Sequence, residues 1–506
     1  MGVVGEVGVE IRDNDVAIKG RDLFANLFLK SDARGNGDEH HNNAERNCGD
    51  CNFYYRCRNT TFIVLGSNDA PSDEKFEIHC DFMGLTFFKN TVLLVVLVAF
   101  SCGSSVEKKE QRKEIRESQE ARIKTQDEQI IVGAEQFSLY AELLKGKNVG
   151  VVANQTSYLE NEKQHLVDFL ISKKVSVKVV FAPEHGFRGK ADAGEHVKDG
   201  FDTKTGVPLI SLYGANKKPK LEQLAGAKKI EEDINKGVSA IDVMVFDLQD
   251  VGARFYTYIA TLHYVMEACA EAGIPVIVLD RPNPNGHYID GPIMESENQS
   301  FVGMNPVPVV HGMTIGEYAQ MLNGEGWLKN KVKCELTVIK MKNYNHQKEY
   351  SLPIKPSPNL PNDQAINLYP SLCFFEGTFI NAGRGTEMQF QIFGAPSLPA
   401  SKYTFEFTPQ ANEGSKDPKF KGQLCHGKDL RKEPRLSKIN LEWLIDAYNA
   451  NGKKKDFFNS FFVKLAGTKK LQQQIEQGLS AEEIRDSWKD GLAEFQKVRE
   501  KYLIYE

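Results

Sequence analysis

The chain has 506 residues, 41% of them hydrophobic and 26% charged, an ordinary composition for a globular protein with room for two or three domains. A net charge of −5 leaves no basic footprint for nucleic acid. Of nine cysteines, Cys269, Cys334, Cys373 and Cys425 lie far apart, with no disulfide or metal spacing, and read as small buried apolar residues.

Residues 1–82 are rich in Asn, Asp and Gly, show no sustained period and do not read as a folded domain. Cys48, Cys51, Cys57 and Cys80, with His79, lack the second spaced pair that a zinc site uses. Met83 opens a different kind of segment: Lys89 supplies a positive charge and Thr91 to Phe100 an apolar run. That run is short for a bilayer span and suits a signal peptide. Ala99-Phe-Ser-Cys102 resembles a bacterial lipoprotein processing site, with Phe100 as a departure from it. The expectation is therefore that translation begins at Met83, that 1–82 is an upstream extension and 83–102 a lipoprotein signal peptide. Lipidation of Cys102 would then make an exported, periplasmic or cell-envelope lipoprotein held at a membrane. The alternative is a buried apolar helix with an incidental cysteine. Residues 103–128 are charged and read as a solvated tether.

From residue 129, apolar runs and helical patterns alternate. Strands are expected at Asn148–Ala153, Val177–Phe181, Val207–Leu212, Ile241–Phe246 and Pro275–Leu279. Helices are expected at 165–173, 220–236 and 258–273. Near-continuous apolar strands separated by helices imply a mostly parallel sheet covered on both faces. The fold class is α/β: a Rossmann-like, doubly wound domain over 129–370 with a smaller α+β subdomain over 371–506. In the latter, Glu387–Phe393 and Tyr403–Thr408 alternate like half-exposed strands. Helical stretches follow at 441–449, 471–477 and 481–502, the last opened by the capping box Ser480-Ala-Glu-Glu483.

Chemistry collects after the strands. Asn154-Gln-Thr156 follows the first, and Glu184-His185 with Arg188 the second. Asp247-Leu-Gln-Asp250 continues through Arg254 and Tyr256 to Tyr258, and Asp280-Arg-Pro-Asn283 closes the set. In an open α/β sheet these positions share the edge where ligands bind. No Gly-x-Gly-x-x-Gly, P-loop or Gly-x-Ser-x-Gly occurs, so neither a nicotinamide cofactor nor a serine nucleophile is expected. His185, His263 and His311 are not at metal-ligand spacing. Carboxylates, amides, arginines and tyrosines suit a carbohydrate: acids for proton transfer, amides for hydroxyl and acetamido groups, rings for sugar faces.

These segments, with His311-Gly-Met-Thr314, Ser357-Pro-Asn-Leu-Pro361, Phe375-Glu-Gly-Thr378 and Asn381-x-Gly-Arg-Gly-Thr386, resemble the bacterial exo-β-N-acetylmuramidases, a glycoside hydrolase family. The likeness runs from about 129 to the C-terminus. It implies a site in the cleft between the two parts and release of N-acetylmuramic acid from non-reducing ends of peptidoglycan fragments. Glu184 is the candidate general acid, since burial at a strand mouth raises a carboxyl pKa; the alternative is a structural ion pair with Arg188 or Arg254. His185 either orients Glu184, binds a hydroxyl or stabilises the turn. Asp250 leads as second carboxylate, with Asp247 and Glu376 behind it, and a muramyl acetamido group can itself be the nucleophile. Arg254 and Arg384 either pair with the lactyl carboxylate or serve Asp250 and Glu376. Tyr256, Tyr258, Asn154, Asn283 and Asn359 complete the candidate substrate contacts. The rival readings are a non-catalytic muropeptide- or sugar-binding lipoprotein and an enzyme for another aminosugar.

Overall fold

The structure, a computed structural model, describes residues 129–188, 199–214, 216–225 and 240–506, and the backbone of two strands further upstream. Those strands, β1 (Asn52–Cys57) and β2 (Thr60–Leu65), pair antiparallel. They lie where no folded element was expected, in a locally β-branched and aromatic stretch inside a polar region. They belong to a unit, 1–102, separate from the body, 103–506. Cys48, Cys51, His79, Cys80, the 83–102 segment with Cys102, and the tether lie outside the described residues.

The body is built on a seven-stranded sheet. In chain order its strands are β3 (Asn148–Ala153), β6 (Ser176–Ala182), β7 (Gly200–Phe201), β8 (Pro208–Ser211), β9 (Val243–Asp247), β10 (Val276–Leu279) and β11 (Leu336–Ile339). The labels β4 (Tyr158–Leu159) and β5 (Gln164–His165) mark a small hairpin after β3. The spatial order is β11-β10-β9-β3-β6-β8-β7, parallel throughout except at β7. The chain leaves β3 on one side through β6 and returns on the other through β9, so the order reverses around β3. That reversal opens a crevice at the carboxyl edge.

Side-chain alternation feeds two cores. Val151, Val180, Val245 and Ile277 face the layer containing helix Leu166–Ser172. Val152, Val179, Phe246 and Val278 face helices Tyr258–Ala272 and Ile315–Gly324. This second core continues without a break into Phe374, Phe393, Trp443 and Phe462. Of the expected helix over 220–236, Leu221–Ala225 is described and the rest lies outside.

Position 370 falls inside helix Asp363–Leu372, which joins the sheet domain to the C-terminal part. There β12 (Ile392–Ala395), β13 (Phe405–Phe407) and β14 (Cys425–Asp429) form an antiparallel sheet in the order β12-β14-β13. The strand expected at 387–393 is thus displaced. Phe390 takes a left-handed φ of 50°, which breaks extension, and drives its ring into the core 4.9 Å from Tyr369. The expected helix over 481–502 is two, Ala481–Asp486 and Lys489–Glu500, parted where the Ser487 hydroxyl donates to the Ile484 carbonyl. The capping box at Ser480 and Glu483 forms as expected.

The C-terminal residues return to the sheet. Tyr505 donates to the buried Asp280 carboxylate (2.7 Å) at the end of β10 and accepts from the Met341 amide. The Ile504 amide donates to Glu317 (2.8 Å), and His346 meets the same Glu317 oxygen at 3.0 Å.

Candidate active site

The carboxyl ends of β6, β8 and β9 and the C-terminal part enclose a cleft of about 890 Å³. Glu184 leaves β6 through Pro183 and stands part-buried on its wall. Its Oε2 accepts from the Thr257 hydroxyl at 2.8 Å, and its backbone carbonyl accepts from Tyr258 at 3.4 Å. Tyr213, just past β8, lines the cleft near the same carboxylate. Burial and the Glu184 charge push its phenol up, so it stays protonated. His185 and Gly186 both take left-handed φ values, 70° and 73°. For a histidine this costs about 1–3 kcal/mol and marks a turn held for a purpose. The turn buries the imidazole on the cleft wall beside Glu184.

The opposite wall carries Glu376, Arg384, Tyr369 and Phe390. Arg384 grips Glu376 with two parallel bonds, Nε to Oε1 at 2.6 Å and an η nitrogen to Oε2 at 3.0 Å. Burial alone would raise the Glu376 pKa, but the guanidinium outweighs it and holds the carboxylate ionised. Tyr256 closes the floor, its hydroxyl donating to the Pro356 carbonyl at 2.7 Å. Asn359, 1% exposed, donates Nδ2 to the Gly414 carbonyl at 2.6 Å, which fixes the amide's orientation. Its Oδ1 is an acceptor with no protein donor on a residue of the cleft wall. Lys419 turns its ammonium onto the carbonyls of Phe375 (3.0 Å) and Ile380 (3.2 Å). Its desolvation lowers the pKa.

Glu184, His185, Tyr256, Asn359, Glu376 and Arg384 therefore share the cleft wall, and the remaining candidates do not. Asp247 is locked to Arg281 by bonds of 2.6 and 2.9 Å in the core. Arg188 forks onto Asp202 (2.7 Å) and reaches Asp168 (3.4 Å). Asn283 donates to the Met313 carbonyl, and Asn154 to the Tyr258 hydroxyl (2.5 Å), so these amides and Tyr258 shape turns behind the wall. Asp250 lies behind it as well: Oδ2 accepts from the Gly252 amide, and His311 Nε2 stands 3.7 Å away. Arg254 pairs with neither Asp250 nor Glu376. Its terminal nitrogens donate to the carbonyls of Pro292, Val307, Leu465 and Ala466, all within 2.9 Å.

The structure adds Tyr213, Lys217, Thr257 and Phe301 to the wall. Tyr213 was findable, because β8 runs parallel to the other strands and its end must reach the same edge. Thr257 and Phe301 carried no signal beyond ordinary helix-start and core patterning. Among the described residues of the wall, five cationic side chains (Lys217, Arg384, Lys416, Lys419, Lys464) face three carboxylates (Glu184, Glu376, Asp417). The cleft is thus locally positive in a chain of net charge −5.

A carboxylate held by a hydroxyl donor at a sheet switch point, with an amide and aromatic rings in a saccharide-sized cleft, fits an α/β glycoside hydrolase. Residues 149–364 match the N-terminal part, and 367–505 the C-terminal part, of the family described as exo-β-N-acetylmuramidase NamZ. The chain belongs to that family. It is 38% identical over 391 residues to the peptidoglycan β-N-acetylmuramidase NamZ of Bacillus subtilis (strain 168), covering 72% of this chain and 89% of the relative. Two crystal structures of DUF1343 family proteins from Bacteroides fragilis NCTC 9343 share the fold, with TM-scores of 0.66 and 0.63 at 43% and 28% identity. Each covers 75% of this chain, over 99% and 100% of its own.

Proposed function

We propose that this chain is an exo-acting muramidase that releases N-acetylmuramic acid from non-reducing ends of peptidoglycan fragments, with Glu184 as general acid. The observation that carries the reading is the Glu184 carboxyl on the cleft wall, held by the Thr257 hydroxyl with Tyr213 beside it. In this reading the protonated carboxyl gives its proton to the glycosidic oxygen as the bond from that oxygen to the anomeric carbon breaks. The leaving sugar departs with the proton. An oxygen from water, or first from the sugar's own acetamido group and then from water, completes the exchange, and that water returns a proton to Glu184. Asp250 stands behind the wall and Glu376 is neutralised by Arg384, which favours these attacking groups over a protein carboxylate. The cationic excess of the wall suits the lactyl carboxylate that distinguishes muramic acid from N-acetylglucosamine.

The test is turnover of a chromogenic β-N-acetylmuramide against the matching β-N-acetylglucosaminide. Cleavage of the muramide alone, abolished in Glu184→Gln with the fold intact, is the expected result. Binding without turnover would leave a saccharide-binding protein. We further propose export and lipidation at Cys102, supported by the apolar run 91–100 and the Ala99-Phe-Ser-Cys102 sequence. Peptide mapping of the native protein that recovers 1–82, or an unmodified Cys102, would overturn this.

A further inference from the structure

Helix Ser460–Ala466 sends two side chains to the rim of the cleft, one turn apart on the same face: Phe461 and Lys464. Both are exposed, Phe461 to 36%. The neighbouring Phe462 is fully buried against Phe374 and Phe458, so the helix spends one aromatic residue on the core and leaves the adjacent one outside. Among the described residues Phe461 packs against no other ring or cation, and Lys464 has no carboxylate partner. An aromatic ring left in water costs free energy unless something covers it. The depth of the cleft is different: Tyr369, Cys373, Phe390 and Asn359 are all buried there. The cleft lining thus runs from buried residues to the exposed Phe461 and Lys464.

We infer that Phe461 and Lys464 form an outer subsite for the part of the glycan beyond the terminal sugar, and that the protein prefers extended anionic strands to short fragments. This rests on the reading of the cleft as a muramidase site. The ring offers an apolar face to the C–H side of a pyranose. The ammonium, one helical turn on, meets a carboxylate on the next muramic unit of the strand. The backbone holding them is firm: the Leu465 and Ala466 carbonyls are bound by Arg254, and the Asn459 side chain caps the helix start.

The experiment reads binding separately from catalysis. In the full chain carrying Glu184→Gln, calorimetry compares a muramic-acid-ended tetrasaccharide of the peptidoglycan repeat with free N-acetylmuramic acid. Adding Phe461→Ala or Lys464→Gln is expected to raise the ratio of tetrasaccharide Kd to monosaccharide Kd about three- to tenfold. An unchanged ratio, whether neither ligand weakens or both weaken equally, overturns the inference. Both residues are exposed, so the variants fold, and thermal unfolding confirms it. Absence of hydrolysis in the native protein with this ratio shift intact would overturn the muramidase reading and leave the outer subsite standing.

Discussion

Arg254 carries a charge into the core and finds four carbonyls there but no carboxylate. Burial pushes its pKa down to about 9, and the bonds to four carbonyl dipoles oppose that cost. Those carbonyls belong to the 292–307 segment and to helix 460–466, so one side chain ties two walls of the cleft to the loop that presents Thr257. Arg254→Met leaves the acceptors unpaired and is expected to cost about 3 kcal/mol or more in denaturant unfolding, with Arg254→Lys recovering part of it. His165 gives a pH signature. It meets the Asn154 carbonyl at 2.7 Å and accepts from the Val167 amide, and burial lowers its pKa from 6.5 to about 4. Between these values the unfolded chain binds a proton that the folded one refuses. The stability contributed by neutral His165 is therefore present above pH 6.5 and lost as pH falls toward 4. Thermal midpoints measured across that window are expected to drop on acidification, and His165→Asn, which keeps a capping acceptor, to flatten the slope. Thr257→Val, which deletes a donor to Glu184, is expected to lower kcat/KM by about tenfold, with Thr257→Ser largely restoring it.

At the scale of elements, helix 460–466 sits close because residue 377 has no side chain: a Cβ on Gly377 would run into the Phe462 backbone. Gly377→Ala is expected to push the helix outward, costing about 1–3 kcal/mol in unfolding and weakening long-glycan binding more than terminal-sugar binding. Five strands of the first sheet were legible because each contains a short, near-continuous apolar run, whereas β7, two residues long, and β11, with Thr337 exposed, were not. The parallel direction followed from alternation with helices, and the order around β3 came only from the structure. The second sheet was less legible. Cys425-His-Gly-Lys-Asp429 has almost no strand propensity and pairs only because β12 and β13 offer edges on either side. Glu387–Phe393 showed the reverse fault, an alternating pattern overridden by the left-handed turn at Phe390. In the site, Glu184 was legible as a charged residue at a strand mouth. Thr257, which donates to it, belongs to a type that serves turns and cores equally well. Arg254 and Arg188 were misplaced in the same way, since an arginine is written identically whether it meets a ligand, a row of carbonyls or a structural carboxylate pair.

At the scale of the molecule, one apolar core runs from the sheet into the C-terminal part, and the cleft lies over that continuity. The Tyr505–Asp280 bond spans 225 positions of sequence, and the Glu317 carboxylate draws its donors from 314, 346 and 504 alike. Asp280 has no exposure to solvent, so its charge and its neighbours' amides depend on partners from the far end of the chain. Expression of 129–370 alone is expected to give a loosely packed, dye-binding species, whereas 129–506 unfolds in a single step by circular dichroism. The tail residues thus act as a keystone. The two halves, although matched by separate family descriptions, are not interchangeable cassettes. A chimera that grafts a foreign second half onto this sheet must also import the Tyr505 latch, or leave an acid stranded at the centre of the arch.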